Sequence, residues 1–415
     1  MTVPSFGIIN TRPDTEVTQT LGADFSCIAL VETSADADAT VFPLKTLVRF
    51  ASTDRAFLSK IGTGYLASAL TGINAQLASA NASADVIVVR VAEGASNDPA
   101  VKLAQTSANI IEGLGVLLTA GAVVGKTPRL IWAGRTAWKA DNATANPVMA
   151  ALSTILAQLR AVAVVDAPDD RAQALAWRND SQSERIIPVG VAARVYDGAQ
   201  IVTRPMAPYI LGVIARVDNA HEGKPFHPWA NQAVNGIVGT SRPIAFSLED
   251  GATEGQQLLA NDIGVVVRGE SGFDGAIGDG GFDFIGIESL ATGDLWSQMH
   301  QVRGMDYLVV KMNRITRQFL GHGINAEMVE AWINSVKNMV SGHVAAGDIL
   351  RGSHVEFIKD QNHASDVRLG RLKLNPFIEP IPAFRLATQE LRRYAPAVDA
   401  LVEDIVAAVN GTLAA

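Results

Sequence analysis

The sequence predicts an α/β protein built on a mostly parallel sheet, followed by an α+β C-terminal domain. Strand-length apolar runs without alternation, such as Val86–Val91, suit strands buried on both faces. Helical patterns of about 10–15 residues separate these runs, as βαβ units require. After residue 260 the texture changes to two long helices among short strands. Composition agrees: of 415 residues, 48% are hydrophobic but only 6% aromatic, so packing must rest on small aliphatic residues.

The elements follow in order. Residues 1–20 read as an extended arm, with β-like stretches at Ser5–Asn10 and Glu16–Thr20 on either side of Arg12-Pro13-Asp14. Phe25–Val31 and Leu47–Phe50 are strand candidates, and Ser52 or Thr53 is placed to cap a short helix through Phe57. Leu66, Leu70, Ile73 and Leu77 share one helical face. Strand Val86–Val91 precedes helix 100–119, strand Arg129–Ala133, helix 146–160 and strand Val162–Asp166. Helix 170–178, strand Ile186–Val191 and helix Pro205–Val217 complete the alternation. Ile263–Arg268 and Phe282–Ile287 read as a strand and its return across a glycine-rich turn, Gly269–Gly281. Helices Asp294–Leu320 and Asn325–Ala346 follow, then short strands near His354–Ile358, Val367–Leu374 and Phe384–Ala387. In the tail, Leu401, Ile405 and Val409 stand at helical spacing.

Charge and cysteine content narrow the function classes. A net charge of −8 without a dense Lys/Arg stripe argues against a nucleic-acid partner. The single cysteine, Cys27, excludes a disulfide framework and a cysteine-based zinc site, and in its apolar strand it should act as a small hydrophobe. The N-terminus lacks the pattern of a signal peptide. No uncharged apolar run approaches the roughly 18 residues of a membrane span, so assembly in a cytosol without membrane insertion is expected. Charged residues are only 18% of the chain, against about 25% in typical domains. The deficit hints at surface covered in an assembly.

No catalytic or ligand constellation is complete. Gly239-Thr240-Ser241 resembles the nucleophile motif of subtilisin-type proteases. His221 and His227 precede it, but in the segment HEGKPFHPW, which does not supply the base setting a triad needs. Ser241 therefore reads as the start of a strand or turn, with a serine hydrolase kept as an alternative. Glu270, Asp274, Asp279 and Asp283 do not follow a calcium-loop pattern. Neither nucleotide-binding glycine motif occurs, and the seven histidines are scattered. No cofactor or metal is expected. A ligand-binding module working at the C-terminal ends of the parallel strands is a further alternative.

The chain ends carry more information. Val3, Phe6, Ile8, Ile9 and Val17 mark the N-terminal arm, and the last eighteen residues are rich in Val, Leu, Ile and Ala. Apolar ends make sense if each adds to a neighbour by strand addition or exchange. Repeated head-to-tail, such donation builds rings or an open helical array.

Several stretches resemble the tail sheath proteins of contractile-tailed bacteriophages and pyocin-like particles. They are Ser34–Leu44 (SADADATVFPL), Asp85–Ile111 (DVIVVRVAEGASNDPAVKLAQTSANII), Ala176–Gly190 (AWRNDSQSERIIPVG) and Ala233–Gly239 (AVNGIVG), and their order and spacing agree along nearly the whole chain. The resemblance implies a non-enzymatic virion subunit. It would form a helical stack of rings around an inner tail tube protein, meet baseplate and tail terminator proteins, and contract to drive the tube through a cell envelope. It also implies a non-catalytic, subtilisin-like middle domain at 96–284, after an N-terminal part of the core at 25–95. A tube-facing α+β domain would span 285–396, between linking arms at 1–24 and 397–415. By that analogy the arms would use Ser5, Phe6, Gly7, Ile8, Ile9 and Asn10 at one end. At the other they would use Phe384, Leu386, Leu401, Ile405 and Val409. Helical periodicity sits oddly with an extended C-terminal arm, which leaves Phe384–Ala387 as the alternative joining strand. Charge alone nominates Arg314, Arg317, Arg368, Arg371 and Lys373 as tube-facing.

Overall fold

A computed structural model describes residues 19–21, 25–139, 144–269 and 280–413. The arm residues Ser5–Asn10 and residues 270–279 of the glycine-rich turn lie outside the described residues. The chain divides between Ile381 and Pro382 into two units.

The first unit is organised by one seven-stranded sheet. Its strands are β1 (Gln19–Leu21), β2 (Ile28–Thr33), β3 (Leu47–Ala51), β4 (Ala82–Val91), β5 (Leu130–Ala133), β6 (Val162–Asp166) and β7 (Ile186–Val189). The order is β1-β4-β2-β5-β6-β7, and every pairing along this path is parallel. β4 is ten residues long, so β1 pairs with its first three while β3 runs antiparallel to Asp85–Val89. The unbroken apolar runs of β2 and β4 are explained by position, because each has neighbours on both edges and helices over both faces. Cys27 leads into β2 at 0% exposure, and burial pushes its thiol up to about 12.

The helices divide between the two faces. Before them come α1 (Arg55–Leu58) and α2 (Tyr65–Leu77), then α3 (Pro99–Val116), α4 (Ala120–Val123), α5 (Pro147–Leu159), α6 (Arg171–Arg178) and α7 (Ala207–Ala220). The cap of α1 is Asp54, which accepts from Ala56 N, rather than Ser52 or Thr53. Ser52 is instead buried, its hydroxyl accepting from Ala84 N on β4. Asp98, Asn146 and Asp170 cap α3, α5 and α6, and proline follows the first two where no N–H is needed. One apolar layer packs α3 and α5, through Ile110, Leu114, Leu152 and Leu156, on Val31, Val89 and Ile131. The stretch 99–123 is long and apolar enough to cross a membrane by length and composition, but this buried face marks it as a core helix. α2 and α7 lie close together because glycines meet there: a Cβ on Gly72 would stand 2.7 Å from the Tyr209 ring, and one on Gly212 3.0 Å from Ile73 Cα.

Between Val191 and Pro205 the structure adds a hairpin absent from the sequence expectation, β8 (Ala193–Asp197) with β9 (Gln200–Arg204). Gly198, at φ +61°, supplies the positive φ that its two-residue turn needs. The remaining strands of this region are β10 (Gln232–Ala233), β11 (Gly239–Thr240), β12 (Val265–Arg268) and β13 (Phe282–Ile285), with α8 (Glu254–Leu259) between them. β11 extends the hairpin, and β10-β13-β12 form a small antiparallel sheet. Arg268 pairs with Phe282, so the glycine-rich turn does join a strand to its return.

The α+β part holds α9 (Met299–Thr316), α10 (Ala326–Ala346), β14 (His354–Glu356), α11 (Ala364–Arg368) and β15 (Asn375–Phe377). Leu308, Val336, Val340, Ile349 and Val355 form its small core. The expected strand at Val367–Leu374 is instead the end of α11 and a turn. Gly370 takes φ +76°, and Arg371 N donates to Asp366 O, which closes the helix. β15 then pairs antiparallel with β14. α9 is fixed to α7 and to the residue that leads into β2 by a buried ion pair and its neighbour: Arg303 donates to both Asp218 oxygens (3.1 and 2.6 Å) and to Phe25 O (3.0 Å). Arg303 is 1% exposed and Asp218 0%.

The second unit begins at Pro382. Phe384–Ala387 forms no strand in the single chain. The tail is the helix α12 (Pro396–Leu413), so its 3.6-residue periodicity is expressed directly.

Candidate intersubunit surfaces

The sites where chemistry could occur come first. Ser241 Oγ donates to Asp169 Oδ1 at 2.5 Å and accepts from Ala192 N at 3.1 Å. Ser241 N donates to Ala192 O, which places the residue in an edge turn beside β8. No histidine is among these partners. His221 and His227 stack on each other with centroids 3.5 Å apart, and His221 Nδ1 meets Val217 O. The serine–histidine pairing of a protease triad is therefore not formed at Ser241. Among the described residues no group of three His, Cys, Asp or Glu could hold a metal ion.

A cleft of ≈ 410 Å³ opens at the carboxyl ends of β2, β5 and β6, where the strand order reverses. That is where open α/β sheets bind ligands. Here its charged groups serve one another. Arg135 lies 3.5 Å from Glu32 and 4.8 Å above the Tyr65 ring, while Arg204 pairs with Asp197 at 2.8 Å. Asp166 accepts from Trp132 Nε1 (3.0 Å) and from Met206 N and Ala207 N (2.8 and 2.9 Å) at the start of α7. Burial raises the carboxyl pKa values of both Glu32 and Asp166. The constellation holds strand ends and a helix start together.

Unmatched surface is concentrated at the C-terminal end of the chain. Phe384 is 88% exposed and Leu391 98%, with Leu386 and Tyr394 similarly open. On α12, Val398, Leu401, Val402, Ile405, Val406 and Val409 are each 52–60% exposed. At 100° per residue they form one apolar stripe, so Leu401, Ile405 and Val409 share a face. Phe384 and Leu386 precede that helix in irregular backbone. Sequence reasoning missed Leu391, Tyr394, Val398, Val402 and Val406, although the same i, i+3, i+4 count includes the last three.

The basic residues separate into two groups. Arg314 is in the last turn of α9 and Arg317 caps it, both exposed. Arg368, Arg371 and Lys373 lie along the segment from α11 to β15, also exposed. Beside that segment is a groove of ≈ 660 Å³ against α10, with Ile324, Val329, Ile333, Phe357, Val367 and Leu372 in its lining. Nothing in the sequence pattern announced this groove, because its walls are 20 or more residues apart in the chain.

Comparison with known proteins is consistent along the chain. The family described as "Phage tail sheath protein central domain" matches residues 111–273. The tail sheath protein of Escherichia phage P2 is 23% identical over 398 residues, 92% of this chain and 93% of that protein. The major tail sheath protein of Serratia phage KSP20 is 30% identical over 257 residues, 59% of this chain and 61% of its own length. Among solved structures, the PVC sheath complex of an extracellular contractile injection system, in its contracted state, aligns with a TM-score of 0.65 at 11% identity. That alignment covers 96% of this chain and 100% of the other. The contracted helical sheath of the anti-feeding prophage gives 0.63 at 12% identity, covering 94% and 100%. At such identities the solved structures speak for the fold, a mixed α/β architecture with a parallel-rich sheet. A matching central domain and relatives aligned over much of their length together support one reading of the chain, a contractile tail sheath protein.

Proposed function

We propose that this sheath subunit polymerises as a helical stack of rings around an inner tail tube protein, and contracts to drive that tube through a host envelope. The observation that carries this reading is the clustering of ten large exposed apolar residues within positions 384–409. A chain that keeps such residues in water is built to bury them in a neighbour. Phe384 and Leu386 act as a joining segment, Leu401, Ile405 and Val409 as an apolar helical face, and Ser5–Asn10 as the opposite arm. The short β14–β15 ladder is a ready acceptor for added strands.

In this reading 1–24 and 397–415 are linking arms, 25–95 and 96–284 build the core, and 285–396 faces the tube. The core's parallel sheet with helices on both faces supports its likeness to subtilisin, and Ser241, bonded to Asp169 and Ala192 rather than to a histidine, supports a role without catalysis. Arg314 and Arg317, exposed at the end of α9, face the tube. Assembly takes place in the bacterial cytoplasm, with baseplate and tail terminator proteins closing the two ends. Contraction needs no reacting group: two packings of the same subunits form a bistable element. The difference between them resides in buried area, at about 25 cal/mol per Å² before ordering costs.

Electron microscopy of the purified chain tests the proposal. Full-length protein should form tubes or polysheaths, whereas a chain ending at Ile381 should remain dispersed with an unchanged circular dichroism spectrum. Tubes from the truncated chain would remove the C-terminal segment from the mechanism.

A further inference from the structure

In the cleft at the carboxyl ends of β2, β5 and β6, the carboxylates are supplied with donors and one cation is left short of acceptors. Asp166 accepts three N–H groups, from Trp132, Met206 and Ala207. Asp169 accepts from the Ser241 hydroxyl, and Glu32 accepts from Thr33 N (2.9 Å) and the Thr33 hydroxyl (3.0 Å). Arg135 differs. Its Nε is enclosed without a hydrogen-bond partner, and its approach to Glu32, at 3.5 Å, is an ion pair without a hydrogen bond. Among the described residues the guanidinium donates to nothing, although its side chain is only 19% exposed.

Backbone and neighbours hold that guanidinium in place. Arg135 takes φ +63° two residues after β5, a conformation that costs a residue with a side chain about 1 kcal/mol or more. Its guanidinium carbon stands 4.8 Å over the Tyr65 ring, and that of Arg204 stands 5.7 Å over the same ring. Two cations sharing one ring repel each other. The carboxylate bonded to Arg204, that of Asp197, is 61% exposed, so solvent screens the pair. Tyr65, Trp138 and Thr203, also in the lining, bring further hydrogen-bond donors. Burial raises the Glu32 pKa, which lowers its charge against an incoming anion.

We propose that this cleft binds the phosphoryl or carboxylate group of a small molecule, held by Arg135 and Arg204 beside Tyr65. A planar guanidinium meets such a group through two parallel N–H···O bonds, and the ligand's charge offsets the repulsion between the two arginines. At ≈ 410 Å³ the cleft lies within the range of small-molecule sites, with room for the rest of the ligand against Trp132 and Trp138. Arg135 follows β5 of the main sheet and Arg204 ends β9 of the hairpin, so a bound anion ties the hairpin to the sheet. The inference does not depend on the sheath reading.

Isothermal titration calorimetry of the unpolymerised full chain tests this, with inorganic phosphate in one series and succinate in another, both at constant ionic strength. One saturable site per chain is expected. Tighter binding of phosphate identifies a phosphoryl ligand, and tighter binding of succinate a carboxylate. Arg135→Gly should weaken the better-bound anion about tenfold or more, the worth of a charge-assisted contact. Glycine suits the positive φ, so this variant should melt no earlier than the unaltered chain, and a lost site is then separable from a lost fold. Arg204→Gln should also weaken binding, whereas Arg55→Gln, exposed on α1 and outside the cleft lining, should leave it unchanged. Absence of saturable binding for both anions would overturn the assignment. So would an affinity untouched by Arg135→Gly, or one weakened equally by Arg55→Gln.

Discussion

Replacing Arg303 with methionine should be among the most damaging single changes in the first unit. The methionine keeps most of the aliphatic stem but removes all three hydrogen bonds to Asp218 and Phe25. Asp218 retains only the Ser26 hydroxyl, 2.9 Å away, as a side-chain partner. Both members of the ion pair are almost wholly enclosed, so water cannot replace the guanidinium. Removing one partner of such a pair costs about 3–5 kcal/mol. Replacing both, as Arg303→Met with Asp218→Leu, should recover most of that loss, because no uncompensated charge remains. Lys102→Ala provides the contrast. Its pairing with Glu93 at 3.1 Å is 40% and 44% exposed, and its loss should cost less than about 1 kcal/mol. Urea unfolding of the unpolymerised full chain measures all three changes. Trp229 fluorescence is the local probe, since Arg303 sits 5.6 Å over that buried ring. A cost below about 1 kcal/mol for Arg303→Met, or a double variant as unstable as the single, would refute the argument.

Other expectations are simpler. His300 is buried, and desolvation lowers its pKa from 6.5 to about 4. The unfolded chain therefore binds the extra proton first, and stability should fall by roughly 3 kcal/mol as pH drops from 6.5 towards 4. His300→Gln, which can still donate to Ile381 O, should flatten that acid limb in pH-dependent denaturation. Gly72→Ala should destabilise by about 1–3 kcal/mol, because the new methyl meets the Tyr209 ring; a neutral midpoint would show that α2 and α7 can separate freely. Ser241→Ala should leave assembly unchanged in electron micrographs, and a serine-reactive probe should label neither protein. Deleting residues 1–20 should stop polymerisation while the helical circular dichroism signal persists.

The legible parts of the fold were those where one chain supplies every partner. β2, β4, β5, β6 and β7 are continuous apolar runs because the parallel sheet buries both faces, and their bounds follow within a few residues. The hairpin of β8 and β9 was missed although Asp197-Gly198 is a strong turn signal; Tyr196 and Ile201 face solvent, so the strands alternate rather than forming an apolar run. At Val367–Leu374 alternating apolar residues suggested a strand, yet the local closure around Gly370 prevails. Phe384 and Leu386 were singled out by composition, but a chain cannot reveal by itself whether a joining segment becomes a strand. The Arg303–Asp218 pair was invisible for another reason: nothing local links residues 85 apart.

The lone thiol ahead of β2 has a consequence outside the fold. A sheath holds identical subunits side by side. Accessible cysteines at such spacing would oxidise into covalent links between neighbours and freeze the array in the arrangement of the moment. Cys27, sealed in the sheet with its ionisation suppressed, presents no thiolate to oxidants. Oxidation therefore offers this chain no thiol through which one subunit could be locked to the next.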